Sequence, residues 1–200
     1  MKKTKSLSVA KITSIADRLR KRYKISVAEP FPILAFLFEL HYKGLLTLQI
    51  LPDSDSLFNS SEVAKYSPID NFIYIKEKVI RELSNKNYHA NFTLAHELFH
   101  YLEYAVFKYQ FEEAENVLAF EDPEWQANEF AAELLIPTDA IKNQEDLSAL
   151  ANKYQVSDEA IITRKLYYNR RSKRKNKIKK ILLKDNWLVS IIFFVLKKIW

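Results

Sequence analysis

The spacing of apolar residues predicts a protein built mainly from helices. Apolar side chains recur at helical spacing in residues 9–23, and a second apolar helix is predicted at residues 31–42. Residues 45–51 and 71–75 are rich in Leu, Ile, Phe and Tyr and are bounded by turn-forming residues, which is typical of strands. The polar stretch between them, residues 52–70, is interpreted as a loop with room for short local structure. These elements indicate an α+β fold, mainly helical with a small β-sheet.

Two further helices are predicted in the middle of the chain. Residues 92–108 carry enough apolar side chains for a long, largely buried helix, which Asn91 or Thr93 would cap at its start. The next helix begins after Asp122, a favourable N-cap residue, and ends before Pro137. Most of the polar chemistry of the chain lies on this pair of helices.

The helix after Asp122 has one apolar arc when its residues are placed 100° apart. The arc is formed by Ala127, Phe130, Ala131, Leu134 and Leu135. Glu124 borders this arc and Asn128 lies next to it, whereas Glu129 and Glu133 fall on the opposite side and are predicted to face solvent. Glu124 is therefore directed inward, although an acid at this position would also complement the helix dipole.

Residues 96–100 spell H-E-x-x-H, a pattern that brings two histidines to one helix face. His96 and His100 are one turn apart, so both imidazoles can reach one ion. Glu97 lies about 100° around the helix and can address a bound water. The alternative is that the two histidines are partly buried and Glu97 is solvated. The spacing favours a zinc site, for which a third protein ligand is required.

Composition restricts the choice of that third ligand. The chain has no Cys, one Gly and four His, and none of the histidines follows His100. Thiolate ligands, a cysteine nucleophile and glycine-rich phosphate loops are therefore excluded. The missing ligand should be a carboxylate. Glu103 shares the helix of His100 and would approach the ion from the same wall, so it is not expected to complete tetrahedral geometry.

Basic charge is concentrated near the C-terminus. Residues 164–184 hold eleven of the 31 Lys and Arg residues and no acid, so the +6 net charge comes from a local patch. In residues 171–200 the basic stretch is followed by an apolar segment with tryptophans near its ends. Contact with an anionic membrane surface is predicted for this tail, and a terminal element packed on the core is the alternative.

The chain shows no secretory pattern. Charged residues are scattered through residues 1–24, where a secretory apolar segment would lie. The longest uncharged apolar run, residues 186–196, is well below the roughly 20 residues that span a bilayer. A cytoplasmic location is expected.

Two sequence blocks resemble a known family. FTLAHELFHYL at residues 92–102, followed by EWQANEFAAELLIP at residues 124–137, is similar to the ImmA/IrrE family of zinc metallopeptidases. The resemblance implies a zincin-like core with His96 and His100 as zinc ligands and Glu97 as the general base. The resemblance also implies that Glu124 is the third zinc ligand. Asn128 would form hydrogen bonds to the ligands without binding the ion. Position 99 is a departure, since it is Phe where the family commonly has Gly.

The resemblance also suggests how the chain is divided. Residues 1–140 would form the zinc metallopeptidase core, residues 141–170 a helix-turn-helix-like segment, and residues 171–200 a basic and apolar tail. The middle segment contains LSALANKYQVSDEAIITRKL, which is similar to the helical segment that follows the peptidase core in the family. Two short helices packed on a core are the alternative to a DNA-reading unit.

The implied function is that of a zinc-dependent metalloendopeptidase that cleaves a helix-turn-helix transcriptional repressor by limited proteolysis. The alternative is a non-catalytic, zinc-containing regulator or adaptor that binds a repressor or nucleic acid. Glu97 argues against the alternative, because a binding module needs no base there. The basic tail also leaves open a protein that acts chiefly on nucleic acid. His89, Tyr88 and Tyr101 are candidates for stabilising an oxyanion, with nothing in the sequence to choose among them.

Overall fold

The computed structural model describes residues 1–59, 61–142 and 146–177. Two compact units are present, residues 1–162 and residues 163–200. Within the second unit, the chain is helical over residues 163–177. The rest of the predicted tail, with its apolar segment, lies outside the described residues. In the ranges that are described, no helix combines the length and apolar character needed to cross a membrane.

The first unit begins with a short strand and two helices. Strand β1 is Lys2–Lys3, helix α1 is Val9–Arg22 and helix α2 is Ile33–Tyr42. Both helices were predicted from apolar spacing. The side chain of Ser8 accepts a hydrogen bond from the backbone N–H of Lys11 and so caps α1.

A three-stranded sheet follows α2. Its strands are β2 (Thr47–Leu51), β3 (Ala64–Ser67) and β4 (Phe72–Lys76), in the order β2-β4-β3. Strand β2 is parallel to β4 and β3 is antiparallel to it, with Tyr66 opposite Ile73. Residues 52–70, interpreted as a loop with room for short local structure, therefore contain the strand β3, which was not itself predicted. Only Ala64 and Tyr66 of this strand are buried, an alternation too short to stand out in the sequence.

The next helices lead to the H-E-x-x-H motif. Helix α3 is Glu77–Ser84, and α4 is His89–Tyr101, after which Leu102–Val106 continues as a π-helical turn. The predicted capping role of Asn91 or Thr93 was wrong, because α4 begins earlier, at His89. Asn91 is instead buried, and its amide donates a hydrogen bond to the carbonyl of Gln155 at 2.8 Å.

The remaining elements of the first unit are short except for α5. Strand β5 (Glu112–Glu113) pairs with β1, and a 3₁₀ turn at Ala119–Glu121 leads to α5 (Pro123–Leu135). Asp122 caps α5 as predicted, accepting a hydrogen bond from the N–H of Glu124 at 3.0 Å. Two shorter helices follow, α6 (Thr138–Ile141) and α7 (Leu147–Tyr154).

Helix α5 is packed on more than one side. Both α1 and α4 lie against it, and the ring of Phe99 on α4 contacts that of Phe130 on α5, with the ring centres 4.8 Å apart. The prediction that Glu129 and Glu133 face solvent was wrong, since their exposures are 5% and 3%. The apolar arc described only one of the helix's contact faces. A helix between two neighbours also buries residues outside its apolar arc.

A helix, a turn and a helix occur where they were predicted. Helix α7 ends at a turn in which Gln155 adopts the left-handed conformation (φ 53°), and residues 158–162 begin the next helix. Tyr154 and Ile161 are buried, and the Tyr154 hydroxyl donates to the carbonyl of Val27 at 2.9 Å. This part of the segment contributes to the core of the first unit.

Replacing Phe130 with Ala should strongly destabilise the first unit. The side chain is fully buried between helices, and such truncations typically cost about 3–5 kcal/mol of unfolding free energy. Chemical denaturation followed by circular dichroism measures the change. Ile69→Ala is the control, because Ile69 is 97% exposed and should change stability by less than about 0.5 kcal/mol. Equal effects of the two substitutions would contradict the packing described here.

Candidate metal centre

Two helices bring the predicted polar residues together. Helix α4 carries His96, Glu97 and His100, and α5 carries Glu124 and Asn128. The helices pack against each other along their apolar sides. Residues separated by a long stretch of sequence therefore meet in one cluster.

Three ligand atoms converge at the centre of this cluster. The Nε2 atoms of His96 and His100 are 2.9 Å apart. The carboxylate of Glu124 lies 3.2 Å from Nε2 of His96 and 3.5 Å from Nε2 of His100. All three donors lie within 4.8 Å of one another, and the structure therefore offers two imidazoles and one carboxylate to a single ion.

Hydrogen bonds behind the imidazoles fix their orientation. Nδ1 of His96 is 3.0 Å from Oδ1 of Asn128, and Nδ1 of His100 is 3.1 Å from Oε2 of Glu103. An amide oxygen accepts hydrogen bonds, as does an ionised carboxylate, so we assign the proton of each neutral ring to Nδ1. Each Nε2 then presents a lone pair to the centre. Two lone pairs 2.9 Å apart repel each other unless a proton or a cation lies between them.

Glu103 was not identified as a partner of His100 from the sequence. The sequence argument considered it only as a rival metal ligand. In the structure its carboxylate is fully buried and contacts the rear nitrogen of His100. The i+3 spacing from His100 was an available signal, because residues three apart on a helix are neighbours.

Glu97 is held by the edge strand of the sheet. Its Oε2 accepts a hydrogen bond from the backbone N–H of Tyr66 at 2.7 Å. Burial raises the pKa of Glu97, although the two imidazoles and the Tyr66 N–H oppose the rise. The contact involves β3, which the sequence did not predict. Nothing in the local sequence around Tyr66 indicates it.

The cluster attracts positive charge. When the Nε2 atoms that face Glu124 carry protons, hydrogen bonds from His100 and His96 hold the pKa of Glu124 well below its usual range. Burial lowers the pKa of His100, but hydrogen bonds with Glu103 and Glu124 outweigh it and raise the value to about 10. A site that stabilises a proton on a buried imidazole also stabilises a metal cation at the same place.

These residues fit a bound zinc ion. Two imidazole nitrogens and one carboxylate form a ligand set used by catalytic zinc sites, which keep a further position open. The side chain of His96 is 15% exposed and that of His100 is 13% exposed, whereas the side chain of Glu124 is 66% exposed. The centre is therefore open to solvent on the side of Glu124.

The three residues considered for stabilising an oxyanion lie at the two ends of α4. Tyr101 is buried, and its ring packs edge-on against that of Tyr66, with the centres 6.0 Å apart. His89 is the first residue of α4, and Tyr88 precedes it.

His41 lies in α2, away from the H-E-x-x-H motif in the sequence. Its Nδ1 accepts a hydrogen bond from the N–H of Leu48 at 3.3 Å, which supports the start of β2.

The fold and the cluster have the features of a metallopeptidase domain. The chain belongs to the Peptidase M78 family, whose model, described as the IrrE N-terminal-like domain, matches residues 66–165. The match confirms the resemblance to the ImmA/IrrE family. It includes all the residues of the cluster and the strand residue that contacts Glu97.

A solved structure shares the fold. A Mycobacterium tuberculosis transcriptional regulator aligns with 12% identity and a TM-score of 0.50 over 75% of this chain. The chain spans 45% of the length of that protein. No curated protein sequence matches the chain significantly.

Changing Glu124 to Gln should weaken zinc binding, because a direct ligand loses its charge. Residues that only contact the ligands of a metal site contribute about 10–100-fold to metal affinity. The loss of a direct ligand's charge should therefore cost roughly 100-fold or more. Zinc titration against a chromophoric chelator measures the affinity. Glu129→Gln is the matched control, because Glu129 is a buried acid on the same helix. This variant should bind zinc like the wild type. Unchanged affinity in Glu124→Gln would refute the assignment of this ligand.

Proposed function

We propose that the protein is a zinc-dependent metalloendopeptidase. The observation that carries the proposal is the position of Glu97 beside the three convergent donors. Its Oε2 accepts a hydrogen bond from the N–H of Tyr66. Its carboxylate interacts electrostatically with His96, His100 and Glu124. A carboxylate held in this way beside a metal site is suited to act on a metal-bound water.

His96, His100 and Glu124 would hold the zinc ion, which when bound lowers the pKa of its water to about 7 and polarises a peptide carbonyl. The carboxylate of Glu97 takes the proton from the attacking water and then delivers it to the nitrogen of the leaving amine. The Tyr66 N–H keeps the carboxylate in place during both transfers. Burial raises the pKa of Glu97 and so favours the first transfer, in which the carboxylate takes the proton.

The substrate enters from the open side of the site. Glu124 is well exposed, while the imidazoles lie deeper. A chain segment of a protein substrate can therefore approach along Glu124 and place a peptide carbonyl over the two histidines. Direct access suits cleavage at an exposed or extended segment, which is the usual situation in limited proteolysis.

We further propose that the substrate is a helix-turn-helix transcriptional repressor. The support for this class of substrate is membership of the IrrE-like family and the resemblance on which the sequence analysis relied. A non-catalytic adaptor is less consistent with the site, because the hydrogen bond from Tyr66 to Glu97 prepares a base that binding alone does not require.

Glu97→Gln should abolish cleavage while zinc binding stays within about two-fold of wild type, because the amide keeps the shape of the side chain but cannot take a proton. Co-expression with a tagged repressor encoded nearby, followed by immunoblotting, measures the cut product. Zinc content is determined on the same preparations.

Glu133→Gln is the matched control for this experiment. Glu133 is also a buried acid, but it lies nine residues beyond Glu124 on α5, about 13 Å along the helix axis. This variant should cleave like the wild type. Full cleavage by Glu97→Gln would eliminate Glu97 as the base.

A further inference from the structure

Glu103 is a fully buried carboxylate next to the metal centre. Its exposed fraction is 0%, and it lies in the π-helical turn that follows α4. Its Oε2 is 3.1 Å from Nδ1 of His100. Within the described part of the chain, its Oε1 has no hydrogen-bond partner. A buried charge with so few contacts is costly unless a positive charge lies close to it.

The backbone of the π-helical turn holds Glu103 in this position. The N–H of Phe107 donates to the carbonyl of Leu102 at 2.7 Å, five residues apart, and the N–H of Tyr109 donates to the carbonyl of Glu103 at 3.0 Å. Single π turns in helices often occur at functional sites. Here the turn begins two residues after His100 and contains the residue that contacts that histidine.

The two imidazoles differ in the group that accepts the hydrogen bond from Nδ1. His96 is bonded to the neutral amide of Asn128, which is exposed, whereas His100 is bonded to a buried carboxylate. A carboxylate is the stronger acceptor and makes the opposite ring nitrogen a better metal ligand. A dication held by two neutral imidazoles and Glu124 keeps one positive charge, which Glu103 would balance.

We propose that Glu103 is a positioning residue that fixes the ring of His100 and increases the affinity of the site for its metal. The inference rests on the proposed metal site. Glu103 does not bind the ion or the substrate in this account. It acts through the Nδ1–H of His100.

The test compares full-length wild type, Glu103→Gln and Glu133→Gln. Zinc affinity is measured by competition with a chromophoric chelator. Glu103→Gln should bind zinc about 10–100-fold more weakly than wild type. Glu133 is also a buried acid, and its carboxylate accepts from the Thr138 hydroxyl. The Glu133→Gln variant should therefore match the zinc affinity of the wild type. Equal affinities for wild type and Glu103→Gln would overturn the inference and leave the proposed function standing.

Thermal unfolding separates positioning from a structural role. Metal-free Glu103→Gln should unfold somewhat below metal-free wild type, because the Gln side-chain oxygen can keep the hydrogen bond to His100 but the charge of the carboxylate is lost. The rise in unfolding temperature on adding zinc should be smaller than for wild type. An equal rise in the two proteins would overturn the inference. Failure of the wild type to bind zinc would overturn the inference and the proposed function together.

Nuclear magnetic resonance of the zinc-loaded wild type gives a test that needs no substitution. Both histidines should carry a proton on Nδ1, and the Nδ1–H of His100 should resonate further downfield than that of His96 because its acceptor is a carboxylate. Coordination of zinc through Nδ1 of His100, or the reverse order of the two resonances, would contradict the role of Glu103.

Discussion

The close packing of α4 against α5 is the constraint on which the metal centre depends. His96 and His100 lie on one helix and Glu124 on the other, so the donor atoms meet only if the helices approach closely. The buried rings of Phe99 and Phe130 form part of that contact. Small residues on α5, Ala127 and Ala131, are fully buried and permit the approach.

The polar groups of the site are each held from a different part of the fold. The sheet supplies the Tyr66 N–H to Glu97, α5 supplies Asn128 to His96, and the π-helical turn supplies Glu103 to His100. These hydrogen bonds restrict side-chain rotation without occupying the Nε2 atoms. The cost of burying such groups is offset where each has a partner of opposite charge or a hydrogen-bond donor.

Much of the helical framework could be predicted from the sequence because apolar spacing and capping residues are local signals. Asp122 caps α5, and the i+4 spacing places His96 and His100 on one face of α4. The burial of Glu129 could not be predicted, because it depends on helices that pack from more than one side. The same limit applies to the contact between Tyr66 and Glu97, which joins a strand to a helix 31 residues away.

The identity and position of the bound metal test the central claim most directly. A crystal structure of the protein purified without chelators, with anomalous scattering recorded on both sides of the zinc absorption edge, locates the ion and identifies it. The account predicts one zinc ion bound by Nε2 of His96, Nε2 of His100 and a carboxylate oxygen of Glu124. A zinc ion bound by another carboxylate, or no anomalous signal after zinc is added, would contradict it.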